Sequence, residues 1–264
     1  MTRYQQEQDR LNAVHYLHKM ELGANHFTSL KCTDRSHMEN VLDIGCGTGA
    51  WCLEMAAEHP DTNFVGVDLL PLYPTLVRPR NCRFLQADVL RGLPFADESF
   101  DFVHMRNFGV GVPAELWPTL LHELQRVIKP GGRVEICESD MVPRGTGPAG
   151  RLLAKWTHAA LSTHGVDPTA VRGLPKLLQD VGFQEVRLHL RDLKDGAHGG
   201  EVGRASAEAQ RDEYSALRPF VTRALCMDEL AYDRAVIAYE REMETMRAHH
   251  HVFYVVARRP GRAM

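Results

Sequence analysis

The sequence predicts an α/β fold in which helices cover both faces of a mainly parallel sheet. Short strand-like runs alternate with helical stretches from Val41 to about Asp140. A glycine-rich loop, GCGTGA (45–50), follows the first of these strands, and an acidic residue stands at the end of each of the first three. Strands that alternate with helices favour parallel pairing, because each helix returns the chain to the same edge of the sheet.

The strand-like segments are short, rich in β-branched or aromatic residues, and bounded by turn formers. Five of them precede Asp140: VLDI (41–44), NFVGVD (63–68), CRFLQAD (82–88), FDFVHM (100–105) and RVEICES (133–139). Two more follow later in the chain: FQEVRLHL (183–190) and HVFYVVARR (251–259). The sheet should therefore have up to seven strands.

Helical periodicity fills the intervals between the strands. The first 30 residues are predicted to be helical, with Leu11, Val14 and His18 on one face, and a second helix runs from Ala50 to about Glu58. A third carries its apolar residues at helical spacing and ends at the stop signal KPGG: Leu116, Leu120, Leu124, Val127 and Ile128. Further helices are expected around 150–163 and 169–181.

The segment 191–250 is longer than a connection between two neighbouring strands needs. Its second half is predicted to be helical, with a stripe of larger residues: Val236, Tyr239, Met243 and Met246. We interpret the stripe as core or cap packing rather than a binding surface. The predicted organisation is a helical N-terminal cap (1–39), a Rossmann-like core (40–190), a helical insertion or lid (191–250), and a last core strand with a tail (251–264).

Composition excludes several classes of function. With 264 residues, the chain is long enough for one large domain. The formal net charge of -3 provides no basic field for nucleic acid, and no run of 18 apolar residues indicates a membrane span. The six cysteines have no metal-ligand spacing, which is typical of reduced thiols. We expect a cytoplasmic protein that binds neither nucleic acid nor membrane.

The glycine-rich loop is compatible with two cofactors. Glycine after a strand indicates either a turn with positive φ or a close approach of ligand to backbone. Gly45, Gly47 and Gly49, followed by Ala50, fit the dinucleotide pattern G-x-G-x-x-G/A. The loop alone therefore predicts either a nicotinamide dinucleotide or S-adenosylmethionine.

The acids that end the first three strands favour S-adenosylmethionine. Asp43 would repel a pyrophosphate but suits a ligand that carries a sulfonium and an ammonium. Asp68 is placed to accept hydrogen bonds from both hydroxyls of a ribose, and Asp88 from an adenine amino group. Each acid alone fits a helix cap or a turn. A cap or turn role does not explain why three acids lie at one carboxyl edge of the sheet, beside a glycine loop.

Motifs in the same order resemble those of the class I S-adenosylmethionine-dependent methyltransferases: VLDIGCGTG, VGVDL, FLQADVLRGLPFADESFDFVH and IKPGGRVEICE. Shorter segments resemble fungal methyltransferases of secondary metabolism, a group that includes a regulator: EQDRLNAVHYL, NCRF, MRNFGVG and HVFYVVARRP. The resemblance implies a Rossmann-like, seven-stranded sheet whose last strand is antiparallel. It would make 183–190 and 251–259 neighbours, a hairpin that dinucleotide dehydrogenases lack.

The resemblance also implies roles for individual residues. Asp43 and the three loop glycines would hold the methionine part of S-adenosylmethionine, Asp68 the ribose, and Asp88 with Val89 the adenine. The turn Met105 to Asn107 would approach the methionine end through its backbone. The remaining members of the predicted cofactor-binding set are Cys46, Leu69 and Arg106. The glycines would then be needed because a β-carbon would collide with the cofactor.

Candidate catalytic residues lie at the ends of the fourth and fifth strands. Methyl transfer from a sulfonium depends mainly on alignment, and a general base is needed only when the acceptor must lose a proton. His104 is a candidate base, although a histidine packed in the sheet is the favoured interpretation. Glu138 and Asp140 could orient an amine or deprotonate a hydroxyl, or be solvated loop acids.

Other histidines and the insertion offer weaker candidates. His15 and His18 lie on the N-terminal helix, which closes over the cofactor in the resembling proteins, but a solvated helix face is favoured for both. HHH (249–251) is interpreted as the start of a strand, and no metal is predicted. Substrate contacts are expected from the insertion, where three residues could line a lid: Tyr214, Arg218 and Phe220.

The predicted function is transfer of a methyl group from S-adenosylmethionine to an O or N atom of a small molecule, a secondary metabolite. Two alternatives stay open. One is a methyltransferase-fold regulator that acts through protein partners and would be found in the nucleus. The other, weaker, is a nicotinamide-dependent oxidoreductase. The acceptor's identity and the oligomeric state, including a homodimer, are not determined by the sequence.

Overall fold

The computed structural model describes residues 2–27 and 38–262. Seven strands form one sheet, and the strands are β1 Asn40–Ile44, β2 Asn63–Asp68, β3 Cys82–Gln86, β4 Phe100–Arg106, β5 Ile128–Ser139, β6 Gln184–Lys194 and β7 His249–Arg258. The α-helices are α1 Arg3–Leu22, α2 Ala50–Glu58, α3 Trp117–Val127, α4 Pro148–Ser162, α5 Leu174–Asp180, α6 Gly200–Ala224 and α7 Glu229–Thr245.

The strand order is β3-β2-β1-β4-β5-β7-β6. Strands β1 to β5 pair in parallel, whereas β7 pairs antiparallel with both β5 and β6. The α/β fold and the antiparallel last strand are therefore confirmed. The chain leaves β1 toward β2 on one side and returns to β4 on the other. Ligands of such sheets bind in the crevice outside the carboxyl ends at this reversal.

Several boundaries differ from the sequence-based predictions. Strand β6 continues to Lys194, and β7 begins two residues early, at His249. The KPGG segment does not separate α3 from β5, because β5 already begins at Ile128, opposite Phe100. The register of the β4–β5 pairing then shifts between Phe100 and Phe102, and Phe102 pairs with Arg133. The KPGG segment therefore forms an irregularity inside β5.

A helical layer built from α4, α6 and α7 has its own apolar core. Val236, Tyr239 and Met243 are buried there, which confirms the packing interpretation of the α7 stripe. Met246 is 41% exposed, because α7 ends at Thr245 and leaves it outside the packed face. Both halves of the segment 191–250 are helical, and α6 packs against α1.

The first turn of α4 depends on a side chain from α7. Gly147, at the N-cap of α4, offers no side-chain acceptor. Glu242 accepts hydrogen bonds from the backbone N–H groups of Ala149 and Gly150, at 2.8 and 2.9 Å, which satisfies donors that the helix itself leaves free. This contact ties α7 to α4.

Two further predictions concern membrane-spanning helices and the state of the cysteines. Within residues 2–27 and 38–262, none of the helices combines the length and the apolar character that crossing a membrane requires. The cysteines in these ranges are all free thiols: Cys46, Cys52, Cys82, Cys137 and Cys226. Cys32, the sixth, lies outside the described residues.

Candidate active site

A cavity of about 390 Å³ opens at the carboxyl ends of β1, β2 and β4, where the strand order reverses. Its volume falls in the range of small-molecule sites. The cavity brings together seven residues that the sequence predicted for cofactor binding or catalysis: Asp43, Gly45, Cys46, Gly47, Asp68, His104 and Arg106. Helix α1 contributes Arg10, Leu11 and Val14 to the same wall.

Helix α1 is fastened over this cavity by hydrogen bonds along its length. Thr48 Oγ1 in the glycine loop donates to Asn12 Oδ1 at 2.7 Å. Gln8 Nε2 donates to the carbonyl of Leu72, also at 2.7 Å, in the loop after β2. Arg106 Nη2 donates to His15 Nδ1 at 2.8 Å. The helix therefore covers part of the cavity.

The predicted solvated face for His15 and His18 is wrong, because both side chains are buried. Burial and the charge of Arg106 lower the pKa of His15 to about 4, so its ring is neutral and accepts the Arg106 bond. Burial also lowers the pKa of His18 well below its usual value. The prediction failed because both histidines face other elements: His15 lies against Arg106 and Glu54, and His18 lies against Tyr254 and Asn107.

The fold itself requires glycine at two positions of the loop, and the collision of a β-carbon with the cofactor stays a prediction. Gly45, Gly47 and Gly49 have φ values of 66°, 54° and 75°, a region that favours glycine. A β-carbon on Gly45 would lie 2.4 Å from Phe108 Cδ2, and one on Gly49 would lie 2.4 Å from Phe84 Cζ. Positive φ and neighbouring aromatic rings therefore exclude side chains at these two positions, whatever ligand is bound.

Asp68 organises the loop from the end of β2. Its Oδ2 accepts the N–H of Gly47 at 2.8 Å, and its Oδ1 accepts the N–H of Leu70 at 2.9 Å. Each carboxylate oxygen has two lone pairs, so both oxygens keep acceptor capacity for ligand hydroxyls. Asp68 thus lines the cavity and also sets the path of the loop around it.

Asp43 and His104 form a buried pair on adjacent strands. His104 Nδ1 lies 2.7 Å from Asp43 Oδ1, and both side chains are at least 95% buried. The ring of His104 stacks on Trp51, with centroids 4.0 Å apart. This geometry favours the packed histidine over a free base, and it fixes the Asp43 carboxylate at the cavity wall.

Five predicted cofactor-binding residues do not line the cavity: Gly49, Leu69, Asp88, Val89 and Met105. Asp88 caps a short 3₁₀ helix through its bond from Leu90 N–H, the cap role considered for it from the sequence. Met105 is fully buried in the core, whereas the next residues of the turn, Arg106 and Asn107, do reach the wall. The adenine role of Asp88 and Val89 stays a prediction.

A second, smaller cavity of about 120 Å³ adjoins the first beneath α1. The two share the following lining residues: Arg10, Leu11, Val14, Asn107 and Val110. The second cavity also contains polar side chains from four elements, in chain order His18, Glu138, Glu213 and His250. A deep cavity with convergent titratable groups, next to a cofactor-sized one, is typical of an acceptor site.

Glu138 and Asp140 are both buried, so the solvated-loop interpretation of these acids is wrong. Burial raises the pKa of Glu138 to about 8, although N–H bonds from Phe108 and Gly109 act in the opposite direction. Asp140 pairs with Arg144 and Arg172, at 2.6 and 2.7 Å. Burial alone would raise its pKa, but the two arginines hold it below its usual value. Asp140 lines neither cavity, whereas Glu138 lines the second.

The lid residues expected from the insertion lie elsewhere. Tyr214 packs edge-on against Tyr239 in the helical layer, and Arg218 pairs with Glu229 and Asp233. Phe220 packs beside His164. Helix α6 instead presents another face to the second cavity, formed by Ala209, Gln210 and Glu213. Their spacing of one and four residues fits one helix face, but the sequence contains no signal that selects this face over the one carrying Tyr214.

Comparison with known proteins gives the family. Residues 41–132 match the family model described as "Methyltransferase domain". The chain carries a class I methyltransferase domain. S-adenosylmethionine is the methyl donor of this class, and the carboxylates and glycine loop of the first cavity fit such a ligand.

Among curated relatives, "Protein-methionine methyltransferase laeA" of Emericella nidulans is 33% identical over 189 residues, which are 69% of this chain and 49% of the relative. "Secondary metabolism regulator laeA" of Aspergillus fumisynnematus is 36% identical, with the same coverage. "Methyltransferase pytC" of Aspergillus terreus is 32% identical over 69% of this chain and 56% of its own length. The chain spans about half the length of the curated relatives it matches.

Solved structures share the fold of this methyltransferase domain. Phosphoethanolamine N-methyltransferase 2 of Haemonchus contortus superposes with a TM-score of 0.55 at 18% identity, over 93% of this chain and 56% of that one. The [4+2]-cyclase SpnF superposes with a TM-score of 0.53 at 20% identity, over 84% and 75%. Since a cyclase uses the same fold, the chemistry must be argued from the site.

Proposed function

We propose that this protein transfers a methyl group from S-adenosylmethionine to an O or N atom of a small molecule of secondary metabolism. The observation that carries the proposal is the pair of adjoining cavities beneath α1. One offers the carboxylates and backbone groups that suit the donor, and the other offers titratable side chains that suit a polar acceptor.

The first cavity suits S-adenosylmethionine by its donors and acceptors. Asp68 has acceptor capacity for the two ribose hydroxyls, and the buried Asp43 carboxylate favours the cationic methionine end. When bound, the donor supplies an activated methyl group on a positively charged sulfur. The protein's own part is to hold both reactants in line and to exclude water, and α1, which lines both cavities, would contribute to both tasks.

An O or N acceptor is supported by the polar character of the second cavity. Glu138 is placed there as a protonated acid at neutral pH, because burial raises its pKa to about 8. A protonated carboxyl can donate a hydrogen bond to a hydroxyl or amine. The volume of about 120 Å³ favours a compact acceptor or the reactive end of a larger one.

Replacing Asp68 with alanine should weaken binding of S-adenosylhomocysteine at least ~100-fold, because two charge-assisted hydrogen bonds are lost. Isothermal titration of the unaltered protein and of Asp68→Ala would measure this. The exposed Asp61→Ala is the matched control and should bind as the unaltered protein does. Circular dichroism should show that all three proteins are folded. No binding by the unaltered protein would contradict the proposed function itself.

The acceptor can be sought with a methyl-labelled donor. The protein is incubated with labelled S-adenosylmethionine and a panel of small hydroxyl and amine compounds, and products are identified by mass. We expect label on an O or N atom of one of these compounds after incubation with the unaltered protein, and no labelled compound after incubation with Asp68→Ala. Label found only on a protein side chain would contradict the small-molecule assignment.

A second candidate is a regulator that uses the same fold to act through protein partners. It is favoured by two relatives at 33% and 36% identity that are named "Secondary metabolism regulator laeA". This candidate predicts a stable, stoichiometric complex in native extract and no methylated metabolite. The small-molecule enzyme predicts the reverse. A cytoplasmic location belongs to the first candidate and a nuclear one to the second, and both locations stay predictions.

A further inference from the structure

His250 and Asp195 form a buried pair that none of the roles above uses. His250 Nδ1 lies 3.0 and 3.1 Å from the two carboxylate oxygens of Asp195. Asp195 has no exposed surface, and Ser206 Oγ donates a further hydrogen bond to its Oδ1 at 2.6 Å. Because an ionised carboxylate only accepts hydrogen bonds, the proton of a neutral His250 ring must sit on Nδ1. Nε2 then carries a free lone pair.

The alternation of β7 directs this ring into the second cavity. His250 is 6% exposed and lines that cavity, whereas the rings of His249 and His251 lie on the opposite face, 6.1 Å apart. Nε2 of His250 has no hydrogen-bond partner among residues 2–27 and 38–262. The orienting carboxylate lies behind the ring, and the free nitrogen lies on the cavity side.

The opposite face of β7 carries a separate, solvent-accessible group. The ligand atoms of His249, His251 and the exposed Asp192 lie within 4.8 Å of one another. Exposed groups of this kind are common without an ion, and the absence of a metal stays a prediction. The start of a strand at 249–251 is confirmed.

We propose that His250 is the general base that deprotonates the acceptor, and that Asp195 is the positioning residue that fixes its tautomer. This inference rests on the proposed methyl transfer to O or N. The acceptor's O–H or N–H bond breaks, and its proton passes to His250 Nε2. The acceptor's lone pair forms the bond to the methyl carbon, and the electron pair of the broken carbon–sulfur bond stays on sulfur. The imidazolium that results is paired with Asp195 and loses its proton to solvent after product leaves.

The other titratable groups of the cavity are less suited to this step. His18 is engaged at both ring nitrogens, with Tyr254 Oη at 3.4 Å and Asn107 Nδ2 at 3.2 Å. Glu138 binds the N–H of Phe108 at 2.8 Å. Glu213 lies beside the positive charge of Arg10. Among these four side chains, only His250 combines a free lone pair with a carboxylate behind the ring.

The charges around His250 determine how its activity should depend on pH. Burial lowers its pKa, but Asp195, followed by Glu213 on α6 and Asp140 after β5, outweighs that effect and leaves the pKa raised. His18, on α1, faces the ring from the third side. A base must be deprotonated to act, so methyl transfer should decline as the pH falls through a value above 6.5, the ordinary pKa of histidine.

The tautomer and the pKa of His250 can be measured without any acceptor. Nitrogen-15 and carbon-13 NMR of histidine-labelled protein, saturated with S-adenosylhomocysteine in chelator-containing buffer, reports tautomer and titration. His250→Gln supplies the assignment. We expect the Nδ1–H tautomer and a pKa above 6.5, and Asp195→Asn should lower that pKa. An Nε2–H tautomer, or a ring that does not titrate, would overturn the proposal even if S-adenosylhomocysteine binds.

Kinetics with any acceptor found in the labelling panel provide the second test. His250→Gln should lower kcat by roughly 10²–10⁴-fold while affinity for S-adenosylhomocysteine stays unchanged. Asp195→Asn should lower kcat less and shift the acidic limb of the pH profile downward. His251→Gln, on the opposite face of the same strand, is the matched control and should keep kcat. If His250→Gln kept both kcat and the acidic limb of the pH profile, His250 would not be the general base. The proposed methyl transfer itself would not be contradicted by that result.

Discussion

The free energy of unfolding of the unaltered protein should fall, relative to Glu138→Gln, by on the order of 4 kcal/mol as the pH rises from about 4.5 to 8. Burial raises the pKa of Glu138 to about 8 in the folded protein, from an ordinary value of 4.5. Below 4.5 the carboxyl is protonated in both states and favours neither. Between the two values only the unfolded chain ionises, so each pH unit costs the folded state up to ~1.4 kcal/mol.

Urea titrations at pH 5, 6, 7 and 8 measure this difference. Comparing the two proteins at each pH cancels the contributions of His15 and His18, whose pKa values burial lowers. The exposed Glu115→Gln is the control for loss of a surface carboxyl. Parallel stability curves for the unaltered protein and Glu138→Gln would mean that Glu138 is ionised in the folded state.

A protonated Glu138 changes the role that the sequence suggested for it. A neutral acid at pH 7 is a hydrogen-bond donor and not a base, so two of the titratable groups of the second cavity would have different roles. Glu138 would orient the acceptor, and His250 would remove its proton. Such a division depends on environments that keep one group protonated and leave the other with a free lone pair.

The parts of the site that local sequence determines could be predicted. Asp43 is the penultimate residue of β1 and Asp68 is the last residue of β2. Because parallel strands place their carboxyl ends at one edge of the sheet, the convergence of the two acids follows from pattern and topology. The glycine loop was recognisable because it follows β1 directly. The antiparallel pairing of β6 with β7 was predicted only from the family resemblance, because an alternating pattern of apolar residues does not indicate which strand lies next to it.

The parts that depend on tertiary packing could not be predicted. His250 and Asp195 are 55 residues apart in the chain, and their contact exists because Asp195 N–H binds the carbonyl of Ala248 at 2.9 Å, next to β7. Glu213 faces the cavity and Tyr214 faces the helical layer, a choice set by how α6 packs on α1 and α7. His15 is buried where α1 meets Arg106 of β4 and Glu54 of α2. Helical spacing identifies the residues that share one face of a helix, but it does not indicate which element packs against that face.

Replacing Gly45 with alanine should destabilise the protein by about 3 kcal/mol. Gly45 has a φ of 66°, where a β-carbon strains the backbone. That carbon would also lie 2.4 Å from Phe108 Cδ2. The backbone of Phe108 cannot retreat freely, because its N–H is held by Glu138 at 2.8 Å, so only rotation of the ring could relieve this contact. Since Phe108 lines the first cavity, we also expect weaker binding of S-adenosylhomocysteine.

Gly111→Ala is the matched control, because Gly111 lines the same cavity, has no positive φ, and has nothing within 4 Å of an added β-carbon. It should change stability by less than ~0.5 kcal/mol. Urea unfolding and isothermal titration of both variants separate the two effects. Equal stability losses would mean that the loop tolerates a β-carbon at Gly45 by moving Phe108. A double-mutant cycle with Glu138→Ala, which removes the acceptor of the Phe108 N–H, separates the two outcomes. The two losses should add if the ring moves freely, whereas Glu138→Ala should relieve part of the Gly45→Ala loss if Phe108 is held as described.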